Sequence, residues 1–167
     1  DVRIQWVGRV SFLEAEEFQR KIRDQVLMGA IDCLLFAEHD PVYVTGCRSP
    51  CENDMPSDHW LDKSGISVVK TRRGGLITYH GPGQLMAYCI IDVKRHRMSI
   101  PGLVCALEEG VIEWLARLGI KGRRQEGAAG VWVDERKICA VGLHFRRWVS
   151  MYGLCLNLDP DLGAFQH

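Results

Sequence analysis

No apolar run in the chain approaches the roughly 18 residues that a membrane-spanning helix needs, and the first residues show no signal-peptide layout. The chain begins at Asp1 rather than Met, as a trimmed start would. Neither sign of charge is in excess, with 21 Lys and Arg against 21 Asp and Glu. No global field therefore draws the chain to nucleic acid or to a membrane surface, and neither is expected as a partner. The sequence also lacks a G-x-x-x-x-G-K-S/T loop and a G-x-G-x-x-G opening a helix, so the usual cradles for nucleotide phosphates are absent. A disulfide framework is missing too: seven cysteines, an odd number, are scattered at 33, 47, 51, 89, 105, 139 and 155. That usage fits a reducing compartment. Cys47, Cys51 and His59 approach a zinc pattern, but a closed site takes four ligands and no second pair at ligand spacing follows, so no metal is expected.

What is present suits one domain over residues 1–167. A chain of 167 residues buries close to 70% of its extended surface, and 47% hydrophobic with 25% charged residues is the composition of ordinary soluble protein. A short strand is predicted over residues 2–7. Ser11 and Glu14, three apart, form a capping box, and a helix follows with Ala15, Phe18, Ile22 and Val26 on its apolar face and Gly29 at its end. Residues 33–37 and 42–45 read as strands on either side of Glu38-His39-Asp40-Pro41, with His39 a loop residue. Residues 47–64 form a loop and a short helix near 57–63. Ser99 and Pro101 open a further helix whose apolar side is Leu103, Leu107, Val111, Trp114 and Leu118, stopped by Gly119. The basic turn Lys94-Arg95-His96-Arg97 reads as a solvated face or as a docking surface for an acidic partner.

The densest stretch is Arg72-Arg73-Gly74-Gly75-Leu76-Ile77-Thr78-Tyr79-His80-Gly81-Pro82-Gly83-Gln84 and the apolar run after it. The glycine pair lets the backbone take positive φ and bring N–H groups close to a ligand beside cationic charge, which suits an anion or a polarised carbonyl. Residues 76–80 and 84–93, joined by Gly-Pro-Gly, read as a hairpin. From Gly130 onward three strands are predicted, over residues 131–133, 137–145 and 149–158. Alternation puts Lys137 on one face with Cys139, Val141 and Leu143, and Ala140 and Gly142 on the other. Buried among such neighbours, Lys137 would lose basicity and could act as a base or stabilise a thiolate. Alternatively it snorkels from a strand end.

Residues 73–88 match, without a gap, the signature R-G-G-x-x-T-aromatic-H-x-P-G-Q-aliphatic-x-x-Y. The chain thereby resembles the octanoyltransferases of the lipoate pathway. Glu38 to Gly46 resembles that family's E-x-x-P-V-Y-x-x-G run, and residues 130–133, 136–142 and 153–157 resemble its second conserved region. The resemblance implies an α/β (α+β) fold, a mixed sheet flanked by helices, shared with biotin and lipoate ligases. It implies transfer of an octanoyl group from octanoyl-acyl carrier protein to a lysine of lipoyl domains, those of 2-oxoacid dehydrogenases and of glycine cleavage H protein. The transfer would run through a cysteine thioester, without cofactor, metal or ATP, in the cytoplasm, or in a mitochondrion or plastid of a eukaryote. The implied acyl-site residues are Arg73, Gly74, Gly75, Leu76, Ile77, Thr78, Tyr79, His80, Ala140, Val141, Gly142, Gly153, Leu154 and Cys155. Lys137 is implied to lower the pKa of the nucleophilic cysteine. Two positions depart from the family pattern: Tyr152 stands where histidine is usual, and Cys89 where proline commonly follows the signature tyrosine. The family's nucleophile sits in a P-C-G segment just past the phenylalanine matched by Phe165, so it is expected beyond His167. An ATP-using lipoate or biotin ligase is the other enzyme reading, and a non-catalytic acyl-binding protein the reading of a different class.

Overall fold

A computed structural model of the chain describes residues 1–48 and 55–165. Strand β1 (Val2–Val10) leads into helix α1 (Phe12–Leu27), then β2 (Asp32–His39), β3 (Val42–Thr45), a short helix α2 (Asp58–Ser64), β4 (Ser67–Lys70), β5 (Thr78–His80) and β6 (Gln84–Ile90). Helix α3 (Ile100–Arg117) is followed by β7 (Arg123–Gln125), β8 (Ala128–Val133), β9 (Arg136–Arg146) and β10 (Val149–Asn157), and a single 3₁₀ turn covers Leu162–Phe165. The strands form a seven-stranded sheet in the order β1-β2-β6-β10-β9-β8-β7 and a three-stranded sheet in the order β4-β3-β5. Both sheets are mixed: β1 pairs parallel with β2 and β3 with β4, while the other pairings are antiparallel.

The middle of the large sheet is covered on both faces, and strand alternation sorts its residues between them. Leu35, Met86 and Cys155 pack under α1 with Ala15, Ile22 and Val26. Their neighbours Phe36, Ala87 and Leu154 pack on the other face with Val111 and Leu115 of α3. Helix α1 starts as its sequence dictates: Glu14 N–H donates to Ser11 Oγ at 3.3 Å and Ser11 N–H to Glu14 Oε2 at 3.0 Å. Its buried face is Phe12, Ala15, Glu16, Gln19, Ile22 and Val26, with Phe18 left 39% exposed. In α3, Glu108 and Leu115 are buried, whereas Trp114 and Leu118 are 41% and 57% exposed.

The expected hairpin does not form. Strand β5 pairs with β3 in the small sheet, and β6 lies between β2 and β10 in the large one. The Gly81-Pro82-Gly83 turn therefore carries the chain from one sheet to the other. Gly83, at φ +81°, sits where a Cβ would come within 2.0 Å of the Asp159 carbonyl, so only glycine fits that crossing. The basic turn is exposed, as expected of a solvated face, but it is also tied to the protein. Arg95 and His96 both donate to the fully buried Asp32, and the Lys94 ammonium lies 4.9 Å from the Trp148 ring centre.

Candidate acyl site at the seam of the two sheets

The loop after β4 crosses the open edge of β9. Strand β8 pairs with β9 as far as Ala140, and beyond it Gly74 N–H donates to the Leu143 carbonyl at 2.9 Å. On its other side the loop is held by Gly46 N–H to the Leu76 carbonyl at 3.0 Å and Cys47 N–H to the Arg73 carbonyl at 2.8 Å. A Cβ at Gly46 would lie 2.1 Å from the Gly75 carbonyl oxygen. Gly75 takes φ +96° as expected, but the Gly74 N–H is engaged within the protein rather than offered to a ligand.

These ties hold the Arg73 guanidinium beneath the loop, 9% exposed and without a carboxylate partner among the described residues. It donates to the carbonyls of Val44 at 2.6 Å, Leu76 at 2.8 Å and Gly74 at 3.0 Å, while its Nε is buried with no partner among the described residues. Burial lowers its pKa from the usual arginine value, yet a guanidinium stays charged at any physiological pH. The result is a fixed positive charge able to polarise an acyl carbonyl.

Two histidines stand beside it. His80 is buried and stacks on Phe12, ring centres 6.1 Å apart. Its Nδ1 faces Gln84 Oε1 at 3.4 Å, and that oxygen also accepts from Gly81 N–H at 3.1 Å. Burial above all, with the nearby His39 and Arg73 charges, pushes its pKa down to about 3. His39 is not a loop residue but the buried end of β2. Its Nδ1 donates to the Val10 carbonyl at 2.7 Å, which leaves Nε2 to accept the Tyr88 hydroxyl proton at 2.5 Å. Burial lowers its pKa as well. Both rings are neutral near pH 7, so they shape and polarise the site without adding charge.

The floor comes from β9 and β10, whose register sets Gly142 against Gly153, Val141 against Leu154 and Ala140 against Cys155. With Arg73, Thr78, His80, Phe12, Tyr88 and Tyr152 these six line an inner cavity of about 50 Å³. Arg73, Thr78, Ala140, Val141 and Gly142 also line an outer cleft of about 560 Å³, together with Gly74, Gly75, Leu76, Ile77 and Lys137. Of the residues expected at the site, Tyr79 alone lines neither space. It packs on Tyr43 and Phe165, with ring centres 5.5 Å apart in each pair, and belongs to the core of the small sheet.

Lys137 is placed differently from its expected buried face. Trp132 pairs with Lys137 and Val131 with Cys139, so Ile138 is the extra residue of a bulge and the alternation slips by one. Cys139 is buried against α3, whereas Lys137 is exposed along the outer cleft with Ala140 and Gly142. Its ammonium donates to the Ala129 carbonyl at 3.1 Å and lies 5.1 Å from the Trp132 ring centre.

Cys89, Cys139 and Cys155 do not suit a nucleophile, because the thiolate is the reactive form. Burial pushes the Cys139 and Cys89 thiols up to about 12 and raises that of Cys155 too. Among the described residues no group of three or more His, Cys, Asp or Glu is placed to hold a metal. Cys51 lies outside them.

Sequence reasoning missed the elements that close the cavity. Phe12 arrives from the first turn of α1, and Tyr152 from the start of the β10 segment that faces it. Tyr152 is buried at φ +61°, a conformation that costs a non-glycine residue about 1–2 kcal/mol. It is held there by its N–H to Gln19 Oε1 at 2.8 Å and its hydroxyl to Glu16 Oε1 at 2.6 Å. Behind it opens a third space of about 840 Å³ lined by Arg20, Arg23, Lys70, Arg72 and Arg146. The polar residues Glu16 and Gln19 on the inner side of an otherwise apolar helix face were the available signal.

Known proteins share this fold. Residues 12–167 match the family model described as the lipoyl protein ligase A/B catalytic domain. The chain is 40% identical over 162 residues to an octanoyltransferase of Solibacter usitatus, covering 96% of this chain and 74% of that one. It is also 40% identical over 160 residues to an octanoyltransferase of Gloeobacter violaceus, covering 95% and 70%. A crystal structure of lipoate-protein ligase A bound with ATP superimposes with a TM-score of 0.82 at 18% identity, over 98% of this chain and 69% of that one. A bipartite lipoate protein ligase of Thermoplasma acidophilum gives a TM-score of 0.74 at 20% identity, over 97% and 63%. At those identities the two ligases speak for the fold, and the curated relatives for the branch: the chain belongs to the lipoyl protein ligase A/B catalytic-domain family and, within it, to the octanoyltransferases.

Proposed function

We propose that this acyltransferase moves an octanoyl group from octanoyl-acyl carrier protein to a lysine of lipoyl domains, through a cysteine thioester. The carrying observation is the cavity itself: a slot floored by the Gly142–Gly153 pair and by Ala140 against Cys155, roofed by a buried guanidinium, and open on one side to a cleft that holds Lys137. Small residues leave room for hydrocarbon, and a fixed cation meets the carbonyl.

In the first half-reaction a cysteine thiolate attacks the octanoyl thioester, and the tetrahedral intermediate collapses to expel the carrier thiolate, which takes up a proton. In the second, the neutral lysine amine attacks the new thioester, forms the amide and returns the cysteine as a thiol. No redox partner or phosphate is consumed. Lys137 in the outer cleft is the residue to favour the thiolate. The nucleophile is the cysteine that the family pattern places after Phe165. The last described turn is tied to the small sheet by the Tyr43 hydroxyl, which donates to the Ala164 carbonyl at 2.7 Å. The pocket under that turn shares Ile77 and Thr78 with the outer cleft that Lys137 lines, which supports this reading. The acceptors are lipoyl domains such as those of 2-oxoacid dehydrogenases and glycine cleavage H protein, in the cytoplasm or in an organelle of a eukaryote.

The test weighs two forms by mass spectrometry after incubation with octanoyl carrier protein and no ATP: the 167 residues given, and a form extended past His167 to include the next cysteine. The extended form gains a hydroxylamine-sensitive octanoyl adduct on that cysteine. An adduct on Cys139 or Cys155, or an absolute need for ATP, overturns the assignment.

A further inference from the structure

We infer that Tyr152 sets the longest acyl chain this enzyme accepts, by walling the inner cavity off from the basic cleft behind it; the inference rests on the acyl-transfer reading above. Past the bulge at Ile138, one face of β9 carries Ala140, Gly142, His144 and Arg146 in turn. Ala140 and Gly142 line the outer cleft and the inner cavity, whereas His144 and Arg146 line the basic cleft. The outer cleft and the inner cavity thus share the middle of the strand, and the basic cleft follows them along it. With the reacting carbonyl beside Lys137, the hydrocarbon runs inward and its methyl end meets the far wall. Among the residues described, Tyr152 alone lines both the inner cavity and the basic cleft.

The wall is fixed. Tyr152 is anchored at both ends by Glu16 and Gln19 of α1, and its positive φ is held against the preference of its own side chain. Behind it stand five arginine and lysine side chains rather than more apolar surface. A methylene that passed the wall would reach a charged, hydrated space and gain no burial. Removing the wall should therefore abolish the length limit without creating a preference for longer chains.

Hexanoyl, octanoyl, decanoyl, dodecanoyl and tetradecanoyl carriers are offered to the extended enzyme, and kcat/KM is read for each. A methylene too many for a closed pocket costs roughly tenfold or more, so the unaltered enzyme falls steeply beyond its optimum. In Tyr152→Gly, which suits the positive φ, the dodecanoyl to octanoyl ratio rises to within about threefold of one and stays flat beyond. Tyr152→Asn, also at ease in that conformation, opens the wall by a second route if the glycine variant folds poorly. Tyr152→Phe keeps the ring and must keep the steep profile, whatever its overall rate. A uniform loss at every length in both opening variants, or a relaxed profile in the phenylalanine variant, overturns the assignment to the ring. Calorimetry with the free fatty acids separates the two levels. A length limit in binding that the opening variants remove, without any transfer, keeps Tyr152 as the wall and discards the transferase reading. Transfer with an unmoved limit does the reverse.

Discussion

Replacing Gly142 by valine tests the slot most directly. A Cβ at that position would lie 3.0 Å from the Gly74 carbonyl oxygen and 3.5 Å from Arg73 Cδ, and no positive φ complicates the substitution. A methyl alone would push the loop by a few tenths of an ångström; the two further carbons of valine need more. The loop cannot swing away freely, because Gly74 is tied to Leu143, Arg73 to Cys47 and the guanidinium to Val44 and Leu76. Overpacking of this kind costs about 1–3 kcal/mol, a melting-temperature drop of roughly 2–12 °C for a domain of this size. The functional loss should be larger. A misplacement of about 1 Å of the groups holding the reacting carbonyl costs on the order of 100-fold, and the added carbons also occupy the slot. The assay pairs a thermal melt with single-turnover octanoyl transfer and calorimetric octanoate binding. Gly110→Ala is the control, since a Cβ there meets nothing within 4 Å. Unchanged octanoate binding in a folded Gly142→Val protein would refute the slot.

Lys137→Ala should leave the melting temperature within about 2 °C, because the side chain is exposed and holds only the Ala129 carbonyl and the Trp132 face. In the extended enzyme it should slow acyl-enzyme formation by about 100- to 10,000-fold, with part of the loss recovered at high pH as the thiol ionises unaided; a wild-type rate leaves Lys137 without a chemical role. Acid should weaken the fold through its buried imidazoles. Unfolded histidine takes a proton near pH 6.5, whereas folded His80 refuses one until about 3 and His39 is shifted the same way. Their contribution is therefore complete above about pH 6.5 and is lost as the pH falls towards the folded values, with a slope approaching 1.4 kcal/mol per pH unit for His80. Stability that stays level from about pH 7 to about pH 5, or a His80→Gln variant with an unaltered slope, would contradict neutral burial.

Local chemistry was legible where it acts locally. Ser11 and Glu14 marked the start of α1, Ser99 and Pro101 that of α3, and residues 42–45 are the strand they were expected to be. The helix faces were misread at their margins, because periodicity favours aromatic residues such as Phe18 and Trp114 and discards Glu16, Gln19 and Glu108, which are buried through specific hydrogen bonds. Lys137 was put on the wrong face by one bulge residue, which alternation cannot anticipate. The Gly-Pro-Gly turn carried a true short-range signal, but which sheet each flank joins is decided by partners more than sixty residues away in the case of β6 and β10. At the site, the signature and the second conserved region supplied most of the residues that meet in the cavity. Phe12 had no pattern of its own and reaches it through packing, whereas Tyr88 closes the signature without having been expected among the acyl-site residues.

The crossing at residues 81–83 also bears on the order of folding. Neither sheet contains the cavity: Thr78 and His80 belong to the small one, and Gly142 and Gly153 to the large one. A nascent chain that has formed α1, or the consecutive pairings of β8, β9 and β10, already has local contacts but no slot. The oily cavity exists only where both sheets are in place, so a molecule with one sheet unformed presents no such pocket in which a stray fatty thioester could lodge.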